Sequence, residues 1–368
     1  MSSIPPVDLR IQHQAIADEV AQGMAAVLDK TAFILGSVVK DFEAEYAAFT
    51  GARHCIGVAN GTDALELALR AARVGAGDEV ILPTNTFIAT ALAVVRAGAR
   101  PILVDSDPDF HLVDLGQVAS RITAKTKAII PVHLYGQLAP MEKVVEFAQG
   151  RGFIVIEDAA QAQGARRGGR AAGAWGLAAG TSFYPGKNLG AYGDAGAVTT
   201  DSDEIATRVR ALRNYGSEVK YHHPELGFNS RLDTLQAVVL RAKLRRLAGW
   251  NEARRKAARR YDELLADLGA VTRPQTLPGN EHIYHLYVVR VPKRDEVVKK
   301  LNADGIGAQI HYPVPIHLQG AFTFLGHREG SFPVAEQAAR EIVSLPMFPE
   351  ITAEQQRRVV ESLRRAIG

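Results

Sequence analysis

The chain has 368 residues, 47% of them hydrophobic and 23% charged, and carries a net charge of +3. This length exceeds what one small core holds and predicts two domains, while the near-neutral balance argues against a nucleic-acid or membrane-surface protein. A single cysteine, Cys55, excludes an intrachain disulfide and any cysteine-cluster metal site.

The N-terminal Met1-Ser-Ser-Ile-Pro-Pro-Val-Asp-Leu9 lacks a basic segment followed by an apolar core, so no signal peptide is expected. No apolar run approaches the ~20 residues that span a bilayer, and a cytoplasmic protein is the expectation. From about residue 50 to 200, short apolar runs alternate with helical patterns. The runs are Cys55–Ala59, Glu79–Leu82, Pro101–Asp105, Ala128–Pro131, Phe153–Glu157, Thr181–Tyr184 and Ala195–Thr199. Amphipathic stretches such as Ala64–Arg73 and Ala89–Arg96 lie between them. Such alternation predicts a largely parallel sheet covered by helices on both faces, with polar chemistry collected at the carboxyl ends of the strands. Several runs are apolar throughout, as strands buried on both sides are, and Cys55 reads as a buried strand residue.

Residues 230–266 form a strongly helical pattern rich in Arg241, Lys243, Arg245, Arg246, Arg254, Arg255, Lys256, Arg259 and Arg260. This basic stripe is either a phosphate or nucleic-acid contact or the solvated face of a connecting helix, and near-neutral net charge favours the second. Beyond residue 270 the pattern reads strand (His285–Val291), helix (Arg294–Asp304), strand (Ala308–His311), proline-rich loop and final helix (Ala353–Ile367). The expected fold class is α/β. A large domain at 1–245, including an N-terminal arm, carries the mostly parallel sheet. A smaller α+β domain at 246–368 is joined to it by the long helix.

Two strand ends carry chemistry. The run Phe153-Ile-Val-Ile156 ends in Glu157-Asp158-Ala-Ala-Gln161, and Thr181-Ser-Phe-Tyr184 leads into Pro-Gly-Lys187-Asn-Leu-Gly-Ala-Tyr-Gly-Asp-Ala-Gly. A lysine amine and a carboxylate at neighbouring strand ends are what a pyridoxal-phosphate site requires: the amine bonds to the cofactor, and the carboxylate keeps the pyridine nitrogen protonated. Asn60-Gly61-Thr62-Asp63 follows the first strand and opens a helix, whose free N–H groups and dipole suit a phosphate. Each of these residues has a plainer use: a loop lysine for Lys187, a helix N-cap for Asp158, an ordinary helix start for Gly61-Thr62-Asp63.

Ser182-Phe-Tyr-Pro-Gly-Lys187-Asn-Leu-Gly, taken with Asp158 and Gln161, resembles the signature of the DegT-type sugar aminotransferases, which are fold type I pyridoxal-phosphate enzymes. The likeness runs from Val7-Asp8-Leu9 to Pro346-Met-Phe-Pro349. It implies that Lys187 is catalytic, that Asp158 meets the pyridine nitrogen and that Gln161 contacts the cofactor's phenolic oxygen. It further implies that Gly61, Thr62, the Asp63 backbone and Ser182 hold the phosphate, and that Phe87 stacks on the ring instead of packing in the core. Asn229, in Gly227-Phe-Asn-Ser-Arg-Leu-Asp233, is expected to reach the phosphate from a second subunit, which implies a homodimer with shared sites. Where the family commonly has histidine, this chain has Gln163. His133 reads equally as a structural or a functional residue. Substrate contacts are expected from Tyr221, Arg231, His311, Tyr312 and His317; the plainer use of each histidine is a solvated loop position. No histidine–carboxylate spacing suggests a metal site.

The resemblance implies transamination of a nucleotide-linked keto-sugar, with L-glutamate as amino donor, in the making of a surface polysaccharide or an antibiotic sugar. Lys220-Tyr-His-His223 ahead of Gly227 looks more like relatives that aminate C3 of deoxythymidine- or uridine-diphosphate sugars, with C4 amination the alternative. A dehydratase, which in such relatives replaces the lysine with histidine, and a cofactor-binding regulatory protein without turnover are the remaining readings.

Overall fold

The computed structural model describes residues 3–368. Seven strands form the central sheet: β1 (His54–Val58), β2 (Glu79–Pro83), β3 (Arg100–Val104), β4 (Thr126–Ile129), β5 (Ile154–Asp158), β6 (Ala178–Ser182) and β7 (Gly196–Thr200). Their spatial order is β1-β7-β6-β5-β4-β2-β3. Strand β7 runs antiparallel to both β1 and β6, and the remaining neighbours pair in parallel. Ile56, Val80, Leu82, Ile129 and Ile156 have no exposed surface, which explains why these strands read as continuous apolar runs rather than alternating ones.

Helices cover both faces. Leu65 and Leu69 of α3 (Gly61–Ala71), Val94 of α4 (Ile88–Arg96) and Val209 of α6 (Asp203–Leu212) build one core with the sheet. Val144 and Ala148 of α5 (Met141–Gln149) close the other face. Ahead of the sheet lie α1 (Ala17–Asp29) and α2 (Ser37–Thr50), and after it comes the long helix α7 (Thr234–Leu264). Leu240, Leu244 and Leu247 of α7 pack with Phe42 of α2 and with Phe183, whereas Ala257, Ala258 and Tyr261 belong to the C-terminal core. That second core surrounds the antiparallel pair β8 (Tyr287–Arg290) and β9 (Ile342–Leu345), with α8 (Arg294–Ala303) and α10 (Ala353–Ile367) against it. Ile4 and Val7 of the N-terminal arm pack into it as well. Among the described residues no helix is long and apolar enough to cross a membrane.

Two expectations are corrected. Ala308–His311 is not a strand: Gln309 makes one isolated bridge to Ser344, after which the chain leaves to dock on β2, where the Ile316 N–H meets the Thr84 carbonyl at 3.2 Å. The partner of β8 is instead β9, which follows α9 (Pro333–Glu341) without an intervening turn and so carries no sequence signal of a boundary. The basic stripe of α7 is only in part a solvated face: Arg245, Lys256 and Arg259 are exposed, but Lys243 and Arg254 are buried and several of its arginines are paired. Arg241 pairs with Asp41 (2.8 Å) and Glu45 (2.6 Å), and Arg245 and Arg246 both pair with Glu19. Arg254 is 2% exposed and donates to the carbonyls of Tyr284 (3.1 Å) and Met347 (3.0 Å). The acids of α1 and α2 come from about 200 residues earlier, beyond the reach of a local reading.

Candidate active site

The carboxyl ends of the parallel strands open onto a cavity of about 800 Å³. Lys187 reaches it from the loop between β6 and β7. A turn closes that loop, with the Lys187 N–H donating to the Tyr184 carbonyl at 2.8 Å, and the Ala191 N–H returns to Phe183 at 2.8 Å. A Cβ on Gly190 would lie 2.2 Å from the Pro185 carbonyl oxygen, so this tight return requires glycine. Desolvation lowers the Lys187 pKa from 10.5 to about 8, opposed by the charge of Asp158. A substantial neutral-amine fraction near pH 8 suits a nucleophile and proton carrier.

Asp158 closes β5 and is 5% exposed. Its carboxylate accepts from the Thr90 hydroxyl (2.7 Å) on α4 and from the Ala160 N–H (3.1 Å). Two donors hold the group oriented at the cavity wall. Gln161 is fixed as firmly. Its carbonyl oxygen accepts the Tyr135 N–H at 2.7 Å, which leaves its NH₂ to donate to the Tyr312 hydroxyl at 3.0 Å. Tyr135 in turn donates its hydroxyl to the His311 carbonyl (2.6 Å), tying the loop that bears Tyr312 to the sheet. Burial raises the Tyr312 pKa, so its hydroxyl keeps its proton across the neutral range.

The start of α3 presents free backbone donors to the cavity. The Gly61 and Thr62 N–H groups, first in the helix, have no intrahelical acceptor. Gly61 packs directly against β6, where a Cβ would lie 2.6 Å from the Ser182 Cβ, so the helix terminus and the Ser182 side chain form one surface. The Asp63 backbone, expected to share the phosphate, is instead capped: its N–H donates to the Asn60 side chain at 2.9 Å. The Asp63 carboxylate pairs with Arg96 (3.0 Å) and accepts from Ser230 (2.8 Å). Phe87 precedes α4 and is 51% exposed in the cavity, its ring 5.4 Å from that of Tyr312. It is no core residue.

The structure brings Lys187, Asp158, Gln161, Gly61, Thr62, Ser182, Phe87, His311 and Tyr312 to this one cavity. It removes His317 from the expected substrate contacts. That ring is 2% exposed, bonded to the Thr84 hydroxyl (2.9 Å) and to Glu336 (2.9 Å), and it anchors the 312–332 loop on β2. Asn229, Tyr221 and Arg231 lie outside this chain's cavity; Tyr221 is 80% exposed, and Arg231 donates to Asn214 at 2.9 Å. His133 is structural. Its Nδ1 accepts the Ala139 N–H, so its Nε2 carries the proton and donates to buried Glu157 at 2.8 Å. Gln163 is buried and spends its amide on Ala160, Thr181 and Ser182, bracing the strand ends. Thr90, Arg96, Asn188 and His285 were missed. Thr90, three residues after Phe87 in a helical stretch, was the most readable of them.

A family model described as the DegT/DnrJ/EryC1/StrS aminotransferase family matches residues 14–364. A protein of Geobacillus stearothermophilus named pleiotropic regulatory protein is 48% identical over 98% of this chain and 98% of its own length. A UDP-N-acetyl-3-dehydro-alpha-D-glucosamine 3-aminotransferase of Acidithiobacillus ferrooxidans is 46% identical over 100% of this chain and 98% of its own. The crystal structure of S. venezuelae DesV in complex with a ketimine intermediate superposes with a TM-score of 0.97 at 44% identity, covering 99% of this chain and 98% of that one.

Proposed function

The chain belongs to the DegT/DnrJ/EryC1/StrS aminotransferase family, whose members use pyridoxal phosphate, and on that premise we propose that it aminates C3 of a thymidine- or uridine-diphosphate 3-keto-sugar. The amino donor is L-glutamate, which leaves as 2-oxoglutarate. The observation that carries the reading is the convergence of a lowered-pKa Lys187 and a doubly bonded Asp158 on one cavity.

The residues present fit the cofactor. The α3 terminus and Ser182 suit its phosphate, the exposed Phe87 ring its face, Asp158 its pyridine nitrogen, Gln161 and Tyr312 its phenolic oxygen, and Lys187 its aldehyde carbon. Bound pyridoxal phosphate supplies an electron sink when the donor's α-C–H bond breaks. Lys187 Nζ takes that proton, holds it as an ammonium, and returns one to the sugar carbon in the reverse half-reaction. The Asp158 carboxylate favours the protonated pyridine nitrogen electrostatically throughout. His311, near Lys187, and Tyr312 border the space left for the sugar.

A second copy of the chain completes the site in this reading. Tyr215 (47% exposed), Val219 (64%), Tyr221 and Leu226 (94%) leave an apolar segment uncovered beside Asn229 and Arg231. Covering it with another protomer would bring Asn229 to the phosphate at the α3 terminus and Arg231 to the diphosphate.

The test begins with enzyme converted by L-glutamate to its pyridoxamine form and freed of donor. Keto-sugar nucleotides oxidised at C3 or C4 are then added separately, while visible absorbance follows return of the pyridoxal form. Return with the 3-keto compound alone supports the reading. Return with the 4-keto compound alone moves the amine to C4, and return with neither overturns the sugar assignment. Lys187→Ala abolishes turnover in a folded protein; full activity in that variant would refute the role of the lysine.

A further inference from the structure

His285 lies just ahead of β8 and lines the same cavity as Lys187. A buried amide relay fixes how that ring is protonated. Asn251 donates its NH₂ to the Gln163 carbonyl (2.9 Å), so its side-chain oxygen faces Asn188. Asn188, the neighbour of Lys187 in the chain, donates to that oxygen (2.8 Å) and to the Ile283 carbonyl (3.3 Å). Both Asn188 protons are thereby spent. Its remaining oxygen sits 3.2 Å from His285 Nδ1, which must therefore be the donor. A neutral imidazole protonated at Nδ1 has a bare lone pair at Nε2, and no group among the described residues bonds to that atom.

We propose that His285 is a positioning residue for Lys187: its Nε2 lone pair, unbonded in this arrangement, accepts a hydrogen bond from the Lys187 ammonium when the released side chain swings to that wall of the cavity. The proposal rests on the transamination reading. During each half-reaction Lys187 holds a proton on a flexible side chain, and the amide relay supplies a fixed acceptor from the side of the cavity wall. Burial drives the ring's pKa well below 6.5, and the charges of Lys187, Arg254, His311 and His282 push the same way. The ring thus stays an acceptor through the neutral range. The charge of Asp158 favours the Lys187 ammonium from a different side chain. In this division of labour Asp158 supplies charge and His285 supplies direction.

The test separates the two ring nitrogens. His285→Asn keeps a donor toward Asn188 and deletes the acceptor at Nε2; His285→Gln places an amide oxygen near the Nε2 position. The first readout uses cofactor-free enzyme and no substrate. Lys187 is labelled with acetic anhydride across pH, and the labelled peptide is quantified by mass spectrometry. In the wild type the labelling inflection is expected near 8. In His285→Asn it moves to lower pH, because the ammonium has lost an acceptor, and His285→Gln restores part of the difference. The second readout is kcat, which falls roughly ten- to a hundredfold in His285→Asn, the scale of a misplaced catalytic group, with KM for L-glutamate changing less than about threefold. If His285→Asn does not fold, Asn188→Ala releases the ring and is expected to shift the inflection the same way.

An unchanged or raised inflection in the folded variant overturns the proposal, even where kcat falls. An unchanged kcat overturns it too. Because labelling needs neither cofactor nor keto-sugar, it decides the role of His285 separately from the sugar assignment.

Discussion

Replacing Gly61 with alanine tests whether the start of α3 is held against β6 as tightly as the proposed phosphate site requires. Gly61 is a first-turn helical residue whose backbone alanine can adopt, and on helix propensity alone the change would stabilise by up to about 1 kcal/mol. The added Cβ, however, would lie 2.6 Å from the Ser182 Cβ and 3.1 Å from its Cα, and strand β6 is paired on both sides and cannot retreat. Overpacking of this kind costs about 1–3 kcal/mol, so a net loss of about 1–2 kcal/mol remains. The helix terminus bears it by lifting away from Ser182, and cofactor affinity falls roughly five- to thirtyfold. Titrating cofactor-free enzyme with pyridoxal phosphate, by absorbance, measures the change; a denaturation curve shows how much is shared with global stability. Adding Ser182→Gly removes the nearest atom and recovers part of the stability. Gly61→Ala with affinity within twofold of wild type and an unchanged denaturation midpoint would refute the close packing of this terminus.

Lys187 attacks the cofactor as the neutral amine, so the rate of cofactor attachment to the cofactor-free enzyme should rise with pH and level off above about 8. A rate still climbing toward 10.5 in a stopped-flow pH series would mean that the amine is not desolvated. Phe87→Ala removes an aromatic face worth about 0.5–1.5 kcal/mol beyond its area, and cofactor affinity is expected to fall about two- to twelvefold. Stability should be unaffected, because the ring is 51% exposed; an unfolding midpoint that drops instead would return Phe87 to a packing role. His317→Ala should do the opposite. It strands buried Thr84 and Glu336 and costs about 2–4 kcal/mol in chemical denaturation, while KM for the sugar nucleotide in the folded fraction stays within about twofold. A large KM effect without loss of stability would restore His317 as a substrate contact.

Much of this molecule is readable from local chemistry. The central strands were legible because most of their residues are buried and several runs, such as Val80–Leu82 and Val155–Ile156, are apolar on both faces, and a polar residue that closes such a run faces the crevice. Asp158 and Lys187 could be brought to one crevice in advance for that reason, as could the helix start at Gly61-Thr62, which needs only a strand, a turn and a helix N-terminus. Long-range pairings had no such signal. Arg241 and Arg246 look like solvent-facing charges until α1 and α2 fold back to deliver Glu19, Asp41 and Glu45. His317 and Tyr312 lie five residues apart in one proline-rich loop, yet one is sealed against Thr84 and Glu336 while the other meets Gln161 in the cavity. His285 reads as one more residue on the way into a strand, and becomes an oriented acceptor only once Asn188 and Asn251 stand behind it. Local pattern sets which residues can be buried and where a strand must end. Which polar group meets which, and so which histidine braces the fold and which one lines the cavity, is decided where segments distant in sequence close on one another and each buried donor must find its acceptor.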